Sequence, residues 1–353
     1  MPEDPFVTAA RPPHHRRRTT LALLGALATA STAGCSPGAT ARPAAPAASA
    51  TVHIALAGDT GAEGAAARVL TDGLGSVGTA LQGADVAFLN LETVLADSRT
   101  GLAPQPKTYT FLAPTRLLDV LHRSGVDAVT LANNHGLDYG RAGLTRTLAA
   151  RGPARPAVVG AGAGEQEAFT PWRTVVKGRG VTFFGATDVL DAGLDWAATA
   201  DAPGLASTKT DAGYTRLREG VRRARKDHPG DVVVVYLHAG VERRVCPTRR
   251  QQQLARDLAA DGATVVAMSH AHVLQPFTTI GSTAVAYGLG NFVFAARSPG
   301  TSTTGVLDLE VPPTGAPRAT WRPARIRDGV PSLVTGAAGA AAVKAWAALD
   351  DGC

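Results

Sequence analysis

The chain has 353 residues, 45% of them hydrophobic and 18% charged, with a formal charge of +6. Length and apolar content support a sizeable buried core, in one large domain or two small ones. Aromatics reach only 5% and the basic residues are scattered without a stripe, which argues against nucleic-acid binding. Part of the charge sits at the N-terminus: ahead of Cys35, Arg11, Arg16, Arg17 and Arg18 face only Glu3 and Asp4, so about +4 remains for the rest.

Residues 1–35 read as an export signal. Arg16, Arg17 and Arg18 precede an apolar stretch at 21–30 that is too short to span a membrane. Thr32-Ala33-Gly34-Cys35 resembles a lipoprotein cleavage box, with Cys35 taking the lipid; a soluble secretory signal and a twin-arginine signal are the alternatives. Residues 36–50, rich in Ala and Pro and without apolar period, read as a tether. The expected location is the cell surface, on the outer face of the cytoplasmic membrane through a lipid anchor. Cys246 and Cys353 are left over. Outside the cytoplasm such a pair is often bridged; two free thiols are the other reading.

From residue 51 onward, strands alternate with helices. Apolar runs at 52–57, 85–89, 126–131, 231–237 and 264–268 read as strands, and 116–123, 144–150, 214–226 and 250–260 as helices. Continuous runs such as Val232-Val233-Val234-Val235 suit strands covered on both faces. After His272, short strands at 276–280, 283–287, 292–294 and 305–310 suggest antiparallel pieces, with a second packed sheet as one arrangement. Residues 51–353 read as one working domain of mixed α/β sheets.

Each of the first five strands ends in a cluster that can bind metal or move protons. The first delivers Gly58-Asp59, the second Asn90-Leu91-Glu92 and the third Asn133-Asn134-His135. The fourth ends in His238-Ala239-Gly240-Val241-Glu242 and the fifth in Ser269-His270-Ala271-His272. In an open α/β sheet, ligands bind beyond the carboxyl ends of the strands. Each cluster alone has an ordinary explanation. Asp59 could cap a helix, Glu92 could be a solvated carboxylate, Asn134 could sit in a turn, and His238 could be a satisfied core residue. His270 and His272 form the most specific single element. Together, in order along one edge, the clusters read as a built site. Asp59, Glu92, Asn134, His238, His270 and His272 supply hard and borderline donors for one or two divalent cations (Mn, Zn, Fe or Mg). His135, beside Asn134, is placed to transfer a proton. Glu242 reads as an outer partner of a ligand imidazole, ahead of a ligand or a simple ion pair with Arg243 or Arg244. Asn291, in the loop Leu289-Gly290-Asn291-Phe292, reads as a pocket-lining amide or a turn residue. Asp138 reads as the start of the next helix.

Asn90-Leu91-Glu92, the run from Ala132 to Gly140, His238-Ala239-Gly240-Val241-Glu242, the run from His270 to Pro276 and the run from Tyr287 to Phe292 stand in the order seen in the CapA family. The chain resembles that family over roughly residues 51–310. CapA proteins are linked to poly-γ-glutamate capsule synthesis and are similar in fold to calcineurin-like metallophosphoesterases. The resemblance implies an αββα sandwich, a metal-binding edge and surface display. It also implies Asp59 as first ligand, Glu92 as bridging carboxylate, Asn134 and His135 as the Asn-His element, and His238, His270 and His272 as ligands. Three positions depart: Gly61 stands where phosphoesterases have His, Glu92 where they have Asp, and Ala239 where the family commonly has Trp. Three functions compete. One is capsule polymer synthesis, assembly or anchoring, with a membrane synthase as partner. The second is phosphoester hydrolysis on a small or envelope substrate. The third is non-catalytic binding of a polyanionic polymer, for which Arg243, Arg244, Arg249 and Arg250 could line a groove.

Overall fold

The computed structural model describes residues 50–353; the expected leader, Cys35 and all but the last residue of the tether lie outside them. Its strands alternate their side chains between cores. Along Val52–Thr60, Ala55 and Ala57 enter one core, while Val52, Ile54 and Leu56 enter a second. Along Val232–His238, Val232, Val234 and Tyr236 share that second core, and Val233, Val235 and Leu237 enter a third. The second core lies between two sheets. The first lies under helices that include Arg116–Arg123 and Gly140–Ala149, the third under Asp211–Asp227 and Arg249–Ala260. An αββα sandwich follows from a side-chain period of two in strands that are apolar on both faces.

The eight-stranded sheet runs in the order Val330–Leu333, Arg318–Arg327, Thr303–Val311, Val52–Thr60, Val86–Leu91, Ala128–Thr130, Ala157–Val159, with Asn291–Val293 added beside Val52–Thr60. Val52–Thr60 pairs antiparallel with Thr303–Val311 and parallel with Val86–Leu91 and Asn291–Val293. The six-stranded sheet runs Phe277–Ile280, Thr283–Ala286, Val265–Ser269, Val232–His238, Arg179–Thr187, Trp172–Val176, parallel in its centre and antiparallel at both margins.

The four expected helices fall close to their sequence-based positions, whereas Gly75–Gln82 and Gly336–Ala347 had no counterpart. Thr210 caps the first residues of Asp211–Asp227, and Thr248 with Gln251 forms a capping box on Arg249–Ala260. Several strands had no sequence-based counterpart, and two of them are long. Arg179–Thr187 carries Arg179, Gly180 and Gly185, which break its apolar run, and Arg318–Arg327 alternates charged and apolar residues beyond the expected end of the sheet. Cys246 and Cys353 form a disulfide with Cα atoms 5.3 Å apart, tying the chain end to the segment after His238. Among the described residues no helix is long and apolar enough to cross a membrane.

Candidate metal centre

The central strands of both sheets end at one edge, and the first ligand is fixed there by a close backbone crossing. A side chain on Gly58 would put its Cβ 1.9 Å from the Gly290 carbonyl oxygen, so that position tolerates only glycine. The same carbonyl accepts the Asp59 N–H at 2.9 Å and sets Asn291 opposite Asp59 in register. Asp59 is fully buried. Its Oδ1 accepts from the Asn90 amide at 2.8 Å, and its Oδ2 lies 3.2 Å from His272 Nδ1.

Glu92 follows Val86–Leu91, held by its N–H on the Thr60 carbonyl at 2.8 Å. Both carboxylate oxygens are buried and have no hydrogen-bond partner. Three imidazoles converge on Oε1: Nε2 of His238 at 3.7 Å, of His135 at 3.8 Å and of His272 at 3.9 Å. A second group of donors meets at His238 Nε2, with Asn134 Oδ1 at 2.8 Å and His270 Nδ1 at 3.1 Å. Asp59, Glu92 and His238 each offer an atom within 4.8 Å of the other two. Donors bound about 2.1 Å from one ion stand roughly 3–3.5 Å apart, so these spacings approach those of a ligand shell. A buried carboxylate with no partner is costly unless a cation or proton satisfies it. The residues fit a divalent cation.

His270 and His272 reach the centre through strained backbone, with φ of 101° and 56°. Non-glycine residues hold such angles only where surrounding contacts impose them. Here the His270 N–H contacts Asp59 Oδ2 at 3.3 Å, and Asn291 Oδ1 stands 2.7 Å from His272 Nδ1. Asn291 is thus an outer partner that turns His272 Nε2 toward Glu92.

Asp138 differs from its sequence-based role. The helix Gly140–Ala149 has no side-chain cap; Asp138 is buried, lies 2.7 Å from His135 Nδ1 and accepts the Phe111 N–H at 2.6 Å. Phe111 stacks on the His135 ring at 4.1 Å. Lys107 Nζ ties this corner together, 2.8 Å from Asp138, 2.5 Å from Asp191 and 2.7 Å from the Asn134 carbonyl. Sequence reading missed Asn90, Asn133 and Lys107. Asn90 and Asn133 sit inside recognised clusters, and buried amides that orient ligands look like turn residues in sequence. Lys107 has no local signal at all.

Glu242 corrects a second expectation. It is exposed and makes no hydrogen bond or ion pair among the described residues, so it does not orient a ligand imidazole by contact. Arg250 also leaves the expected arginine groove: it pairs with Asp188 at 2.9 Å and lies over Tyr214 at 4.6 Å.

Burial pushes Glu92 well above the usual carboxylate range, and the nearby charges of Asp59 and Asp138 add to it. Burial works the same way on Asp59, but the hydrogen bond and charge of His272, with His238, outweigh it and hold Asp59 well below. Burial drives His238 far down, with help from His270, and brings His270 to about 4. His272 is raised because Asp59 outweighs its burial. The vacant side-chain position at Gly61 is filled from elsewhere: a Cβ there would stand 2.3 Å from Glu63 Oε2. That carboxyl accepts from the Ala62 N–H and the Thr93 hydroxyl, and burial raises it to about 7.

The family model for the bacterial capsule synthesis protein PGA_cap matches residues 53–296, most of the chain. The chain belongs to this family. The capsule biosynthesis protein CapA of Bacillus anthracis is 30% identical over 260 residues, covering 73% of this chain and 62% of that protein. The PGA biosynthesis protein CapA of Bacillus subtilis is 31% identical over 217 residues, covering 61% and 55%. A probable polyglutamine synthesis accessory protein of Mycobacterium tuberculosis is 27% identical over 220 residues, covering 59% and 55%. This PGA_cap chain therefore spans between 55% and 62% of the length of these relatives. Its αββα layering is the architecture that the resemblance implied.

Proposed function

We propose that the chain acts in the synthesis, assembly or anchoring of poly-γ-glutamate at the outer face of the cytoplasmic membrane, through a metal-dependent hydrolytic or transfer step on the polymer. The observation that carries this reading is Glu92: a buried carboxylate without partners, faced by three imidazole Nε2 atoms, in a chain of the capsule synthesis family. Asp59, Glu92, Asn134, His238, His270 and His272 would hold the ion. Imidazole-rich donors favour Mn, Fe or Zn over Mg. When bound, the cation supplies Lewis-acid polarisation and lowers the pKa of water.

His135 is the proton-transfer residue. Burial outweighs Asp138 and keeps the imidazole below its ordinary pKa, so the ring is neutral at pH 7. With Nδ1–H directed at Asp138, an unprotonated Nε2 faces the centre. His135 then accepts a proton from the attacking group first and returns it to the leaving amine, the reverse of a donor that starts charged.

Export and lipidation at Cys35 belong to the same proposal, since a capsule polymer is handled outside the cell; a membrane synthase is the proposed partner. Deletion should release cell-associated polymer, and wild type but not His270→Ala should restore it. Rescue by both would remove the metal from the function. Phosphoester hydrolysis is the second reading, favoured by the same donor set in a metallophosphoesterase-like fold. Manganese-dependent turnover of an aryl phosphate that is lost in His135→Ala would support it.

A further inference from the structure

One strongly charged feature beside the centre is unused by this mechanism. Residues 241–244 form a turn closed by the Arg244 N–H on the Val241 carbonyl at 3.2 Å. The Arg243 N–H bonds the Ala271 carbonyl at 2.7 Å, between the two ligands His270 and His272. The Arg244 carbonyl accepts from Gln275 Nε2 at 2.7 Å, and two residues further on Cys246 is bridged to Cys353. The turn is fixed to the metal loop on one side and to the chain end on the other.

Its side chains are not used for folding. Glu242, Arg243 and Arg244 are exposed, carry both signs of charge, and form no hydrogen bond or ion pair among the described residues, even with one another. Arg243 holds φ at +59°, a conformation unfavourable for arginine. Strain of this kind concentrates at functional sites. The Arg243 N–H on the Ala271 carbonyl sets this exposed turn directly against the loop that carries His270 and His272.

A free acid and a free base side by side match a zwitterion. A poly-γ-glutamate chain carries an α-carboxylate on every residue, but only its amino-terminal residue adds a free α-ammonium beside that carboxylate. We propose that the turn receives this terminal residue, Glu242 taking the α-ammonium and Arg243 the α-carboxylate. The proposal rests on the polymer reading above and deepens it: the chain end, rather than the interior, is presented to the centre. An interior segment offers carboxylates that Glu242 repels.

The test uses the manganese-loaded chain and two labelled oligo-γ-glutamates, one with a free amino terminus and one N-acetylated, together with high-mass polymer. The free oligomer should bind about three- to fivefold more tightly at low salt, as an exposed ion pair allows. That preference should vanish in Glu242→Gln, which should keep its manganese. Arg243→Gln should weaken both oligomers alike. Equal binding of the two oligomers to wild type, a preference that survives in Glu242→Gln, or loss of manganese from that variant overturns the assignment, as does an Arg243→Gln variant that binds both normally. If high-mass polymer binds while capping has no effect, only the chain-end proposal falls. If no form binds, the polymer reading falls with it.

Discussion

His135 and His272 are built alike and shifted in opposite directions. Each presents Nδ1 to a buried carboxylate, at 2.7 Å from Asp138 and 3.2 Å from Asp59. Each lies against a phenylalanine, Phe111 or Phe294, and each puts Nε2 near Glu92 Oε1, at 3.8 and 3.9 Å. Burial disfavours the charged ring in both, yet His135 ends below its ordinary pKa and His272 above it. The difference lies one neighbour further out. Lys107 stands against Asp138 and opposes the charge on His135, partly offset by Asp191, whereas among the described residues no lysine pairs with Asp59, and Asn291 and Glu242 add to its effect on His272. An imidazole–carboxylate pair therefore has no fixed protonation state. The outer partners push the His135 ring toward its neutral form and the His272 ring toward its charged form.

Removing that outer partner should have the largest effect. Lys107→Met leaves Asp138 and Asp191 without their buried cation and should cost about 3 kcal/mol of stability, read by denaturant unfolding. In the same variant the His135 midpoint, followed by NMR in the metal-free chain, should rise toward that of His272. A midpoint that stays in place would show that Lys107 is structural only.

The two carboxylates should separate next. Asp59→Asn removes a proposed ligand and should weaken metal binding by about a hundredfold or more, while Asp138→Asn should cost about tenfold or less, because it touches no proposed ligand except through the Asn134–His135 segment. Equal losses in a metal titration would make the two sites equivalent and break the contrast.

The sandwich was legible because its strands are apolar on both faces, and the donors were legible because each closes such a strand. What stayed hidden was whatever depends on non-local approach. Asp138 reads as a helix start, and only folding shows that Phe111 and Lys107 arrive from another loop to turn it toward His135. Glu242 lies four residues from His238, a spacing that suggests partnership, yet the turn at Arg243 carries it out to solvent. Nothing local explains the glycine at position 58; its reason is the Gly290 carbonyl, 232 residues away in sequence.

Metal affinity should also depend on pH, with a sign set by Glu92. Its folded pKa is raised, so in acid the carboxyl keeps a proton that the cation must displace, and affinity falls as pH falls. Displacement of one proton gives about a tenfold loss per pH unit in the range below that raised pKa. His238 and His270 are lowered and already neutral near pH 7, so they should add to the slope only in more acidic solution, while His272, raised above its ordinary value, should add to it from nearer neutrality. A flat profile in Asp138→Asn and a sloping one in wild type would move the displaced proton from Glu92 to the His135 corner.

The smallest effect should come from the aromatic cover that the two histidines share. Phe111 and Phe294 meet edge to face at 5.6 Å, so each ring holds the other over its own imidazole. A double-mutant cycle with Phe111→Ala and Phe294→Ala should give a coupling of about 1 kcal/mol. Phe111→Ala should also raise the His135 midpoint, since burial is the largest influence holding it down, and should narrow its distance from His272. Phe294→Ala should raise His272 by the same admission of water and widen that distance. If both substitutions move both histidines equally, the cover acts as one lid, and the contrast between the two rings rests on Lys107 and Asp59 alone.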